Sequence, residues 1–513
     1  MRPRVGSEKL VRRPARHVWL ALLVAAVALS AVVFALRARG LAASGLYVDP
    51  LGHQGPPIYS IWKVQNGHPL YEWPDRHPYS LTLYNALFYH VYARVLAAAG
   101  VEGRDIVFGA QRLSAMFAAA GALLTFVCAR RLLPAGDNAI AVAGFLSALL
   151  MWIGTNPMGW WHLGVRPDMM ALAFAVAGLV IYTRGIDRDR PEIWLLVASF
   201  CFCVTWMTKQ SYVASLTGVC LYTLIVRRSF KHTLWIAIPA ATLMAVALLG
   251  GGEVYRRNLL WAPSISHLGI SGYSGSRLGK VLFANAWIWA GPLLALLAAR
   301  TREERARLFA GVGPFLCVGI VGFGFGTMAM LREGGEDNAI LEGHVSMGIA
   351  ATVLFARLLT GVTVPLVARA MPMLLVPAIL YPAYQLGWKQ EPLHVATPET
   401  HQRRERLAAF ITSLPAPVFI NDGMLSQPWF TSQSRYPAYV PDQLWMEIAQ
   451  RDGWLPPDWI DTLIRDRAFG AFLLPHETRW VEVGRAAGYT AEHIAGRDDG
   501  REYLVLRRAA DKH

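Results

Sequence analysis

Charge is what this 513-residue chain has little of: 16% of its side chains are Asp, Glu, Lys or Arg, against about 25% in an ordinary soluble domain. That scarcity, with 54% hydrophobic residues and a mean hydropathy of +0.33, excludes a soluble globular enzyme and a disordered chain. Cysteine is equally sparse. The five (Cys128, Cys201, Cys203, Cys220, Cys317) all lie in apolar stretches, which excludes a disulfide-stapled secreted domain. Cys201 and Cys203 read C-x-C, the wrong spacing for a zinc knuckle, and are expected in the core. His53, His68, His77 and His90 have no ligand spacing either, so no metal site is expected. What the chain does have is 45 Gly, 30 Pro and 18 Trp, the usage of polytopic membrane helices with aromatic interfaces.

A membrane-spanning helix needs roughly 20 apolar residues. Eleven stretches qualify or come close: 18–36, 106–128, 139–156, 167–183, 193–207, 211–226, 233–250, 281–299, 308–331, 343–356 and 370–386. The first is long and followed by no convincing cleavage site, so it is expected to stay as an anchor. Residues 37–105 form a long first loop whose 55–66 and 80–99 parts read as amphipathic or half-buried helices that lie in the interface and do not span. The Gly-, Ser- and Tyr-rich segment 251–280 reads as a mobile loop. Beyond residue 389 the chain turns polar, with a helix near 400–413, a strand near 417–421, helices near 441–450 and 457–467, and strands at FGAFLLP and EYLVLRR. The expected organisation is thus a membrane module over 1–389 and a small α/β domain over 390–513. The fold class is a polytopic α-helical membrane protein.

The net charge of +14 divides at that boundary. Residues 1–389 hold 35 basic against 18 acidic side chains, and residues 390–513 hold 14 against 17. The excess sits between apolar spans, so it marks topology and not nucleic-acid binding. Twenty basic residues fall in the short connections on the N-terminal side and 14 on the far side, about a threefold difference in density. The positive-inside rule then makes the N-terminus cytoplasmic and the C-terminal domain extracytoplasmic, in a bacterial inner membrane.

Ionisable residues at membrane depth are costly and mark function. Asp49, Arg166, Asp168, Lys209 with Gln210, and Glu342 all map to the outer ends of spans, and Arg112 falls inside the second. They are expected to line one outward-facing polar cavity. Each also has a plainer reading: a turn for Asp49, a helix-capping pair for Arg166 and Asp168, snorkelling for Lys209, a first-turn acid for Glu342.

A basic N-terminus, one span, then a large loop with Asp49 at its start resembles the GT-C glycosyltransferases. The local matches are NGHPLY (66–71), RLS (112–114), RPD (166–168), TKQ (208–210) and NAILE (338–342). Over residues 15–386 the chain most resembles the family-39-like branch, which holds the protein O-mannosyltransferases and the aminoarabinose lipid A transferases. The resemblance implies a polyprenyl-phosphate sugar donor, with a protein, lipid or glycan hydroxyl as acceptor, and no nucleic acid. It implies Asp49 as general base. A second acid often follows that residue in the family; here Pro50 follows, and His53 is the alternative helper. Arg166, Lys209, Arg112 and Arg256 fall where donor-phosphate cations are expected, and Asp168, Gln210, Asn338 and Glu342 where acceptor-side or supporting groups are. No cofactor is called for, and the motifs neither indicate nor exclude a divalent cation. Two other readings use the same residues: a transporter or flippase for a lipid-linked or anionic solute, and a scaffold whose tail binds a partner. Against transport, no internal repeat is visible.

The topology is testable with reporter fusions. Alkaline phosphatase joined after Arg508 is expected to be active and joined after Arg228 inactive; the reverse pattern overturns the orientation.

Overall fold

The computed structural model describes residues 6–44, 54–76, 79–154, 156–267, 269, 272–332, 334–361, 370–389, 397–421, 438–441, 443–495 and 502–508. The first helix, α1 (Gly6–Ser44), turns one stripe inward: Trp19, Leu23, Ala26, Ser30, Val33 and Arg37 are buried at alternating spacings of four and three. That stripe is how a helix with an apolar surface all round still selects a packing face. After it come α2 (Gly55–Gln65) and α3 (Ala86–Ala98), then α4 (Ile106–Leu132), α5 (Asn138–Ile153), the short α6 (Asn156–Trp161), α7 (Asp168–Gly185) and α8 (Pro191–Thr208). Next are α9 (Ala214–Leu221, continued by a π-helical turn at Tyr222–Val226), α10 (Phe230–Gly250), α11 (Gly252–Ile265), α12 (Gly272–Ala284), α13 (Ala286–Ala298) and α14 (Arg302–Phe309). The bundle closes with α15 (Gly313–Met330), α16 (Leu341–Gly361) and α17 (Val376–Tyr384).

Each of the eleven expected stretches is helical. Seven helices among the described residues are long and apolar enough to cross a membrane, or eight if α12 and α13, bent by 66°, make one broken span. The others are shorter: α5 at 16 residues reaches about 24 Å at 1.5 Å per residue, less than the roughly 30 Å of hydrocarbon. The span that starts at Asp337 and includes α16 is the central one, 89% of its apolar window being buried, whereas α10 at 17% lies on the outside. Side chains such as Ile193, Phe200, Val246 and Leu249 face outward, as a lipid solvent permits.

Close helix approach rests on small residues. A Cβ on Gly343 would come within 2.5 Å of the Phe323 nitrogen, and one on Gly322 within 2.5 Å of the Gly343 nitrogen, so α15 and α16 meet backbone to backbone. At the opposite end Arg357 of α16 fastens two helix ends. Its guanidinium donates to the carbonyls of Leu308 (2.6 Å), Ala310 (2.8 Å) and Leu132 (3.0 Å), which α14 and α4 leave unbonded at their C-termini. Asp137 caps α5 through the Ile140 amide (3.1 Å) and holds Arg16 of α1 at 2.7 Å.

The C-terminal part carries α18 (Pro398–Thr412), β1 (Val418–Ile420), β2 (Ala438–Tyr439), α19 (Gln443–Arg451), α20 (Trp459–Arg465), β3 (Ala471–Pro475), α21 (Thr478–Ala486), β4 (Tyr489–Ala495) and β5 (Glu502–Arg508). The strand order is β2-β1-β3-β5-β4; the first three are parallel, and β5 runs antiparallel to β3 and β4. Alternation gives the sheet two apolar faces. Phe419, Phe472, Leu474, Leu504 and Leu506 pack beneath α19, α20 and α21. Val418, Ile420, Ala471, Leu473 and Val505 pack instead into one core with Ile58, Tyr59 and Trp62 of α2 and Phe88 and Tyr92 of α3. The α/β domain therefore sits directly on the first loop.

Two expectations change here. The 55–66 segment is more than half-buried: residues Gly55 to Lys63 are all buried, because the sheet covers the side away from the bundle. The 251–280 segment is not a loop but the helices α11 and most of α12. The spacing of Tyr255 and Leu259, and of Trp261 and Ile265, gives α11 a buried stripe that the Gly and Ser content of the segment masked. The sequence reading also missed α21, β2 and β4, short elements whose polar faces hide their period.

Gly343→Val is expected to cost about 2 kcal/mol or more through overpacking, read as a lower Tm in detergent. Gly324→Ala on α15, whose added Cβ meets nothing within 4 Å, is expected to leave Tm unchanged.

Candidate functional site at the α7, α8 and α16 ends

Three helix ends meet at one end of the bundle. Arg166 and Asp168 flank Pro167 at the start of α7. Lys209 is the residue after α8, its amide still bonded to the Thr205 carbonyl at 3.0 Å. Asn338 lies in the 3-10 turn Asp337–Ile340 that leads into α16, and Glu342 is in that helix's first turn.

The centre is the Asp168 carboxylate, fully buried. Its Oδ1 accepts from the Lys209 ammonium and from the Asn338 amide at 3.0 Å. The Tyr212 hydroxyl stands 2.9 Å from the same oxygen and 3.0 Å from the Asn338 carbonyl, with one proton to place between them. Oδ2 has no hydrogen-bond partner among the described residues. Burial pulls the Lys209 pKa below its ordinary value, while the Asp168 charge opposes that shift. Glu342 is held differently: its two oxygens accept the backbone amides of Ala214 and Ser215, both at 3.1 Å, at the start of α9.

Arg166 is also buried. Its guanidinium donates to the Tyr84 hydroxyl and lies 5.6 Å from the Trp161 ring centre. Burial pushes the Tyr84 phenol up to about 12 against the pull of Arg166, so it stays a neutral hydroxyl. The chain before Arg166 is fixed by Gln54, whose side-chain oxygen accepts the Val165 amide at 2.6 Å. Gln210 reaches the Leu83 carbonyl at 2.6 Å. Two buried cations, Arg166 and Lys209, thus share this end of the bundle with the buried carboxylates Asp168 and Glu342. Beside it, Asn85, Leu87, Met207, Ala247 and Tyr255 line a mainly apolar cleft of about 220 Å³.

Of the residues named from sequence, Asp168, Lys209 and Asn338 touch directly, and Arg166, Gln210 and Glu342 lie on the same helix ends and connections. Arg112 and Arg256 do not join them. Arg112 is exposed on α4, turned away from the face carried by Ala110, Leu113 and Ser114. Arg256 folds back onto the Leu248 and Leu249 carbonyls at 3.4 and 3.3 Å. Asp49 and His53 lie outside the described residues. Tyr84, Tyr212 and Gln54 were not anticipated; the aromatic spacing in SLTLYN and KQSY was the available signal. Among the described residues no three His, Cys, Asp or Glu side chains cluster as metal ligands do.

A helical membrane bundle with a long, folded first loop, charged residues at its helix ends and an α/β domain seated on that loop is the GT-C architecture. Solved structures share it. ArnT from Cupriavidus metallidurans, in the apo state, is similar with a TM-score of 0.59 at 15% identity, over 95% of this chain and 97% of that one. ArnT bound to undecaprenyl phosphate gives 0.58 at 14%, over 94% and 98%. The apo oligosaccharyltransferase of Archaeoglobus fulgidus gives 0.54 at 11%, over 93% and 73%. No family model and no curated protein matches the sequence. At these identities the likeness is one of fold, and the chain has the GT-C fold.

Removing one partner of the Lys209–Asp168 pair is expected to be costly. Asp168→Ala should lose about 3 kcal/mol by leaving a buried ammonium unpaired. Asp168→Ala with Lys209→Met should lose less than the two single changes together. Additive losses in a thermal double-mutant cycle would show that the pair is not coupled.

Proposed function

We propose that the protein is a membrane glycosyltransferase that moves a sugar from a polyprenyl-phosphate donor to an acceptor hydroxyl on the outer face of a bacterial inner membrane. The observation that carries this reading is the buried Arg166–Lys209–Asp168 group at one end of a GT-C-fold bundle. A lipid-linked phosphate suits it: the prenyl chain stays in the bilayer while the head group meets cations at membrane depth. A solved structure of the same fold, ArnT, holds undecaprenyl phosphate. Residues 1–389 would form the catalytic module, with the N-terminus cytoplasmic, and residues 390–513 the extracytoplasmic domain.

In this mechanism Asp49, alone or with His53, takes the proton of the acceptor hydroxyl. The freed oxygen attacks the anomeric carbon as the bond to the phosphate oxygen breaks, so the configuration inverts. The electron pair leaves on the polyprenyl phosphate. Arg166 and Lys209 stabilise that charge by fixed electrostatics, without a nucleotide site. Asp168 holds the Lys209 ammonium in place and opposes the loss of its proton. Asn338 and Glu342 hold the connections that carry these groups, and Gln210 fixes the first loop against them.

Mass spectrometry of lipid that copurifies with the protein tests the donor. A polyprenyl-phosphate sugar is expected. A bound small anionic solute without such a lipid would favour transport and overturn the reading. Asp49→Asn is expected to retain the bound donor, keep the Tm, and abolish sugar transfer to membrane or envelope fractions; full transfer would remove Asp49 as base.

A further inference from the structure

Residues 79–85 run as an extended strap between the α/β domain and the bundle, and nearly every one is fastened. Tyr79 adopts a left-handed backbone (φ 60°) that a bulky residue rarely takes, with its ring 4.9 Å from that of Trp459 on α20. Leu81 is buried in the core beneath α19 and α20. The Thr82 amide donates to Asn258 at 2.7 Å and its hydroxyl to the Leu70 carbonyl at 2.9 Å. The Leu83 carbonyl accepts Gln210. The Tyr84 carbonyl accepts the Tyr71 hydroxyl at 2.8 Å. Asn85 donates to the Trp206 carbonyl at 2.6 Å and accepts the Tyr255 hydroxyl. With neighbours so held, the Tyr84 ring has one place to go, against Phe88 and toward Arg166.

A phenol has two roles to fill. The Tyr84 oxygen accepts from Arg166, yet no acceptor for its own proton is present among the described residues. A buried O–H beside a guanidinium, with no acceptor among the described residues, lacks the partner that buried donors nearly always have. We propose that Tyr84 is a donor-phosphate ligand: it orients Arg166 through the bond it accepts and gives its own proton to an oxygen of the same phosphate. The inference rests on the reading of Arg166 as a phosphate-binding cation. The strap explains why a loop residue can serve here, since anchors in both the α/β domain and the bundle fix the hydroxyl before any ligand arrives.

The test uses the full-length protein in detergent and two probes, undecaprenyl phosphate and the uncharged undecaprenol, with Tm measured in parallel. Tyr84→Phe keeps the ring and removes only the hydroxyl. It is expected to weaken undecaprenyl phosphate binding about tenfold, the scale of one hydrogen bond to a charged group, and to leave undecaprenol binding unchanged. Arg166→Ala should weaken phosphate binding at least as much. An equal loss for both lipids would show that Tyr84 only supports the fold, and would overturn the proposal. Unchanged phosphate affinity in Tyr84→Phe, with a loss in Arg166→Ala, would overturn the proposal alone. Unchanged phosphate affinity in Arg166→Ala would overturn the reading of the cationic site, and this inference with it.

Discussion

The rest of the structure depends on one constraint: a charge taken out of water must be met by another group, or it is not kept. Asp168 meets Lys209, and around that pair the fold gathers Tyr212, Asn338 and the turn leading into α16. Three separate stretches of chain (α7, the α8–α9 connection and the 3-10 turn that leads into α16) are thereby held at one place. The same constraint works elsewhere. Lys63, wholly buried in α2, donates to Glu72 at 3.0 Å and to the Leu70 carbonyl at 2.9 Å, which closes the first loop on itself. Arg357 spends its donors on helix C-termini that lack partners. In a chain this poor in charge, nearly every buried ion has a structural duty as well as whatever chemistry it carries.

That double duty shapes the site. Lys209 is pinned by a carboxylate and Arg166 by a phenol, so the two cations are held in position by different kinds of partner. The carboxylate offsets much of the positive field of Lys209, whereas the neutral Tyr84 hydroxyl fixes the direction of the Arg166 guanidinium. Asp168 still offers one oxygen with no partner among the described residues, so the Lys209 side presents an acceptor as well. The arrangement is polar in a directional sense, with a cation at one end and a carboxylate oxygen at the other.

Much of this was legible beforehand because hydropathy and charge report depth. RPD, TKQ and NAILE each sit where an apolar run meets a polar connection, so one outer end of the bundle was a fair expectation for all three. What a lone sequence does not report is azimuth. Arg112 lies at membrane depth, but its direction around α4 is outward, as the burial of Ala110, Leu113 and Ser114 shows. Arg256 looked available only while 251–280 read as a loop; on α11 its side chain reaches back to the last turn of α10. Tyr84 and Gln54 were hidden for another reason. Neither is charged, and each matters only through a partner more than 80 positions away. Helices were easier to see than strands, because β2 and β4 carry too short or too polar a pattern to separate from the connections beside them.

The shared core between the sheet and the first loop has a consequence for how the molecule is made. The apolar side chains of α2 and α3 emerge early in synthesis, yet the strands that cover them are added last; Arg104 and Glu405, paired at 3.4 Å, are 301 positions apart. Until β1, β3 and β5 arrive, that surface lacks the sheet that covers it. Contacts this distant in sequence assemble slowly. The first loop is thus the segment with the longest wait between synthesis and burial, and the one for which a chaperone at the membrane surface would have the most to do.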